Sequence, residues 1–179
     1  MGIAALLIGL ALARQEPLPP RHTVLGNIVL MVFTPVVRRE LDVTDDQLDK
    51  IQKAFGDTLL FEKDRIVISL AHDEDLDELT NKARLALSPR QDRRLKELFV
   101  QQNGALVAAD PEFARELALT EGQKTKAKAV LNDTAAKLNA LAAKPGDADP
   151  KTETKRIRRA AIAEIEDALS NVQKEKLNR

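Results

Sequence analysis

From residue 120 onward the inward-facing positions fall into one helical stripe. Ala127, Leu131, Thr134, Leu138 and Leu141 step by four and three, which predicts a continuous amphipathic helix starting at Thr120. A segment starting at Thr44 shows a looser stripe: Leu48, Ile51, Phe55 and Leu59, then Ile66 and Leu70. It also predicts a long helix, weakened in the middle by Gly56-Asp57. A short helix precedes each. Thr34 and Asp110 are the expected caps, with Pro35 and Pro111 at the first helical position, where a missing N–H costs nothing. Those helices should end near Leu41 and Leu117. A third helix is expected at Asp73–Leu85, with Leu76, Leu79 and Ala83 on one face. Its counterpart is Lys151–Ala168, with Ile157, Ala161 and Ile165. A last helix starts at Ser88 or Ser170, and the first of these shows Leu95, Leu98 and Phe99 before the stop signal Asn103-Gly104. Val24 to Phe33 is largely apolar and too short to span a membrane. It is expected to be a helix buried against the bundle, because nothing else in the chain offers a strand to pair with it.

One pattern marks four of these helix starts: an aliphatic residue, Ser or Thr, two variable residues, then Gln. The copies carry Val43, Thr44 and Gln47; Leu87, Ser88 and Gln91; Leu119, Thr120 and Gln123; Leu169, Ser170 and Gln173. Each reads as a capping box. The hydroxyl accepts from the N–H three residues on, and the Gln side chain reaches back to the N–H of the cap.

Alternate copies match best. Residues 34–47 and 110–123 share Pro, Arg-Glu-Leu, Thr and Gln at a constant offset of 76. Ala86-Leu87-Ser88, Gln91 and Leu95 match Ala168-Leu169-Ser170, Gln173 and Leu177 at an offset of 82. The additional residues fall near the loop signal Pro145-Gly146-Asp147-Ala148-Asp149-Pro150. The expected organisation is all-α: a helical bundle of two duplicated multi-helix units, 34–108 and 110–179, with long amphipathic helices sharing a core. Ahead of them lie a signal-peptide-like segment, 1–13, and a stretch, 14–33, that combines a Pro-rich leader with the apolar run. The first is uncharged after Met1 and ends Ala11-Leu12-Ala13, a small-x-small cleavage pattern. The expectation is an exported, periplasmic protein.

Composition narrows the chemistry. With 28 basic and 28 acidic residues the formal charge is zero, so no global field draws the chain to nucleic acid. There are five Phe, no Trp and no Tyr, which leaves few stacking platforms for bases or sugars. The absence of Cys removes disulfides and thiolate chemistry. No phosphate loop, zinc-protease signature or nucleophile elbow occurs. His72 beside Asp73, Glu74 and Asp75 is a poor metal site, because adjacent helical residues diverge. No catalytic residue, cofactor, metal or small-molecule substrate is expected.

Charge segregates between matching places. Asp73, Glu74, Asp75, Asp77 and Glu78 open the third helix of the first unit. Lys151, Lys155, Arg156, Arg158 and Arg159 open that of the second. Acidic residues suit a helix N-terminus and basic ones do not. The two clusters either pair, within the chain or across a dimer, or form two solvated faces. Arg90, Arg93, Arg94 and Lys96 form a second basic strip, read as an exposed helix face or a client contact.

The repeated Leu-Thr/Ser-x-x-Gln pattern in an exported, helical, Cys-free chain resembles the LTXXQ-motif periplasmic family of Spy and CpxP. The resemblance rests on Thr44 and Gln47, Ser88 and Gln91, Thr120 and Gln123, Ser170 and Gln173, and covers the chain from about Thr34 onward. It implies an all-helical protein acting as an ATP-independent chaperone or an envelope-stress adaptor. Members of that family form cradle-shaped dimers with two motifs per chain. Four motifs here imply a homodimer or a pseudo-dimeric monomer. Partners would be protein clients, or, if the chain is a structural scaffold instead, one dedicated envelope protein.

Overall fold

The computed structural model describes residues 27–62, 65–68, 75–143 and 149–177, with backbone placement alone at 59–62 and 65–68. The signal-like segment, the Pro-rich leader, Asp73 and Glu74 lie outside these residues. The fold is all-α with one small addition. The α-helices are α1 (Pro35–Leu41), α2 (Asp45–Phe55), α3 (Leu76–Arg84), α4 (Pro89–Asn103), α5 (Pro111–Glu116), α6 (Glu121–Ala143), α7 (Pro150–Ala168) and α8 (Asn171–Leu177). The addition is an antiparallel hairpin of β1 (Leu59–Glu62) and β2 (Arg65–Ile68), in the register Leu59 opposite Ile68 and Glu62 opposite Arg65.

The hairpin overturns the long first-unit helix. α2 ends at Gly56, whose φ of 54° is a conformation other residues adopt only under strain. A 3₁₀ turn over Gly56–Thr58 follows, and the Thr58 hydroxyl donates to the carbonyl of Phe55 at the end of the helix. Beyond it the runs Leu-Leu-Phe-Glu and Arg-Ile-Val-Ile are rich in aromatic and β-branched residues, which favour strand. The helical spacing of Leu59 and Ile66 is therefore coincidental, and Leu70 lies outside the described residues. α6 has no such break and continues for 23 residues.

The apolar stretch before Thr34 is a 3₁₀ helix, Ile28–Phe33, capped by the Asn27 side chain, which accepts from Val29 N at 3.0 Å. A second 3₁₀ helix, Gly104–Ala109, holds the matching place before Asp110. The caps that follow differ. The Asp110 carboxylate accepts from Glu112 N at 2.8 Å, whereas the Thr34 hydroxyl makes no capping bond. The backbone is similar at both, with ψ of 124° and 135°, so the difference lies in the longer reach of the carboxylate.

The core has two clusters and a bridge. Val29, Val32, Leu41, Ile51, Phe55, Leu76, Ala83 and Leu95 form the first. Leu106, Leu117, Ala127, Leu131, Ala161, Ile165 and neighbours form the second, where α6 packs along α7. Phe99 and Phe113 join them, their rings stacked with centroids 5.7 Å apart. Stacked ring pairs contribute about 0.5–1.5 kcal/mol beyond the area they bury.

Candidate functional site

All four predicted capping boxes close. Gln47 N donates to Thr44 Oγ1 at 3.2 Å, and Thr44 N donates to Gln47 Oε1 at 3.1 Å. The same exchange is made at Ser88 and Gln91, at Thr120 and Gln123, and at Ser170 and Gln173. The aliphatic residue ahead of each cap, Val43, Leu87, Leu119 or Leu169, is buried and anchors the turn.

The motifs also bind one another, which spacing alone did not suggest. Gln47 Nε2 donates to Gln91 Oε1 at 2.9 Å, and Gln91 Nε2 donates back to Gln47 Oε1 at 3.1 Å. The second donor of Gln47 goes to Ala86 O at 2.9 Å. Gln91 donates to Leu41 O at 3.0 Å and Asp42 O at 3.2 Å. Gln123 and Gln173 repeat this arrangement: they exchange bonds of 2.9 and 3.1 Å, Gln123 reaches Ala168 O at 2.8 Å, and Gln173 reaches Leu117 O at 3.3 Å. Each amide oxygen thus accepts from its own cap and from the partner Gln, and each amide nitrogen donates to the partner Gln and to a carbonyl beside the partner motif. The Leu41, Asp42 and Leu117 carbonyls are presented by turns in which Asp42 and Ala118 adopt φ of 53° and 51°. Two such clasps hold α1–α4 and α5–α8.

The cap is one part of this assembly and the clasp is the other. Thr120→Ala removes the hydroxyl that accepts from Gln123 N and donates to Gln123 Oε1, both at 3.3 Å, and leaves the cross-motif bonds of Gln123 in place. It should lower stability by about 1 kcal/mol in a urea melt and leave any binding activity intact at temperatures where the variant is folded. Loss of binding without loss of stability would show that the motif contacts a ligand.

A charged latch joins the two halves. Arg84 Nε and Nη2 grip Asp92 at 2.7 and 2.8 Å, while Nη1 reaches Glu112 of α5 at 2.7 Å. Lys96 Nζ lies 2.5 Å from Glu112 and 2.9 Å from Glu116. The Asp92 hydrogen bond leads in raising the Arg84 pKa above its ordinary value. Burial pushes the Glu112 carboxyl up, but Arg84 and Lys96 outweigh it and hold the group below the usual glutamate value. Burial likewise opposes charge on Lys96, and its two glutamates overcome it. Burial raises the pKa of Asp110.

Among the described residues, the members of the two charge clusters are exposed except for half-buried Arg158. Asp75 caps α3, accepting from Asp77 N at 2.8 Å, and Asp77 and Glu78 follow in the first turn. None of these three forms an ion pair with Lys155, Arg156 or Arg159 among the described residues. Arg156 instead pairs with Glu153 of its own helix, and Arg158 donates to Asn103 Oδ1 at 2.9 Å. In the second basic strip, Arg94 engages Glu40 and Glu97, Lys96 belongs to the latch, and Arg93 is exposed. Sequence reading missed the latch, because Arg84 and Glu112 are surface-type residues on short helices with no shared pattern.

Between α4, α5, α8 and the end of α7 runs a groove of about 910 Å³. Its lining mixes apolar residues such as Val100, Phe113 and Leu177 with charges of both signs. Among the described residues no group of three or more His, Asp or Glu is placed to hold a metal ion, and no helix is long and apolar enough to cross a membrane. Compared with protein-family models, curated proteins and solved structures, the chain has no match.

Proposed function

We propose that this is an exported, periplasmic binding protein that acts without nucleotide or cofactor on other proteins, as an ATP-independent chaperone or envelope-stress adaptor of the Spy and CpxP type. The observation that carries the reading is the groove. It is open, lined by both apolar and charged side chains, and built on two helical halves braced by clasps and latch. A surface of this kind suits transient contact with varied unfolded segments better than one fixed chemistry.

At stoichiometric ratios and without ATP, the protein should suppress aggregation of several unrelated unfolding proteins, followed by light scattering. No suppression for any of them rejects the chaperone form. A pull-down that returns a single stoichiometric partner favours the scaffold reading.

A further inference from the structure

We infer that the β1–β2 hairpin is a binding site for an extended polypeptide segment, which joins one of its edges as a further strand. The groove lies elsewhere, between α4, α5, α8 and the end of α7. The helical fold does not require the hairpin. At the offset of 76, residues 59–68 correspond to 135–144, and in the second half α6 continues through Ala143. A helix makes its backbone bonds within itself. In the first half Gly56 ends α2, and the corresponding stretch is a two-stranded antiparallel ribbon. A ribbon leaves the N–H and C=O of alternate residues facing outward along both edges. Among the described residues no third strand covers either edge. An edge of this kind takes one ligand chemistry, an extended backbone.

The register decides which segment fits. Strand residues alternate between faces, and Leu59 stands opposite Ile68 and Phe61 opposite Ile66. Leu59, Phe61, Ile66 and Ile68 therefore share one face, and all four are apolar. Leu60 and Val67 share the other face with Glu62 and Arg65, the last pair of the register. An added strand continues both faces, so the segment that fits alternates apolar residues with polar ones. Backbone bonds supply affinity without regard to sequence, and the alternation supplies preference. Residues that block strand addition are absent from these positions. Neither strand holds a proline or a lysine, and charge is confined to Glu62 and Arg65. A ribbon of two strands is marginal in water, whereas three strands sharing an apolar face are stable. The added strand thus stabilises the ribbon that it joins.

The test uses the full chain and a short fluorescein-labelled peptide alternating Val and Thr, followed by anisotropy. The peptide should bind. The same sequence N-methylated throughout keeps its side chains, loses every backbone donor, and should not bind. Isotope-edited infrared spectra of the bound peptide, labelled at its carbonyl carbons, should show a β-strand amide band. Ile66→Lys with Ile68→Lys should weaken binding by about tenfold or more, with the helical melting temperature unchanged. Lys174→Glu with Lys176→Glu, in the groove, should leave peptide binding as it was. Equal binding of the N-methylated peptide, or indifference to the hairpin substitution, overturns the proposal. Loss of binding in the groove variant alone does so too, and assigns the peptide to the groove. Conversion of an oligomer to a monomer by the hairpin substitution also overturns it, because the edge would then belong to a second copy of the chain. If that substitution lowers the melting temperature, the infrared spectrum with the parent protein decides, and a bound peptide without the strand band overturns the proposal.

Discussion

Gln173→Glu is expected to destabilise the protein by about 3–5 kcal/mol at neutral pH, the range for stranding a charge in a buried site. Glutamate is as good a partner as glutamine in an isolated capping box. It would still accept from Ser170 N and from Gln123 Nε2, now at 2.8 and 2.9 Å. What it cannot do is donate. The Nε2 group faces Gln123 Oε1 at 3.1 Å, Leu117 O at 3.3 Å and Ala118 O at 3.5 Å. Glutamate would put an anionic oxygen against three acceptors, in a residue only 9% exposed. Burial without a cation raises a carboxyl's pKa above its unfolded value. The loss should therefore be complete above that raised value and shrink as pH falls through it, when the protonated acid regains one donor. Urea melts from neutral to mildly acidic pH read both effects. A variant as stable as the parent at neutral pH would mean that the motif needs only its cap, and that the cross-motif bonds are incidental.

The clasp also shows where sequence reading stops. Four helix starts were legible, because a capping box is a local device whose partners lie three residues apart. That the fifth residue is Gln in every copy was visible too. Its reason was not, since the carbonyls it binds are 39 to 56 residues away in the chain. The second half was read well for a physical reason: α6 is long and unbroken, so its stripe had one interpretation. In the first half a glycine at positive φ ended the helix after Phe55, and the apolar residues beyond it formed a hairpin whose period the helical template could partly mimic. The groove was not legible at all. It arises where two halves meet, and residues such as Val100 and Lys176 carry no mark of that in their local sequence.

Arg84→Met should cost about 2–3 kcal/mol, somewhat below the value for a fully buried pair, because the carboxylates it holds keep part of their hydration. The Arg84 side chain is 14% exposed, against 27% for Asp92 and 29% for Glu112. Methionine preserves much of the volume and packing of the stem, so the loss reports the charge. Without the guanidinium, Asp92 loses both its bonds, and Glu112 is left with Lys96 alone. The effect depends on pH in a fixed direction. Glu112 is held below its unfolded pKa, so its contribution is complete above the ordinary glutamate value and disappears as pH falls through the depressed folded value. The gap between parent and variant should thus be widest at neutral pH and narrow in acid, below about pH 4. Because Arg84 lies on α3 and Glu112 on α5, a double-mutant cycle with Glu112→Gln measures the bond between the two halves directly. Strong coupling, with faster amide exchange in α5 of either single variant, is the expected result. Additive losses would show that Arg84 serves Asp92 alone, and that the stacked Phe99 and Phe113 hold the halves together without the latch.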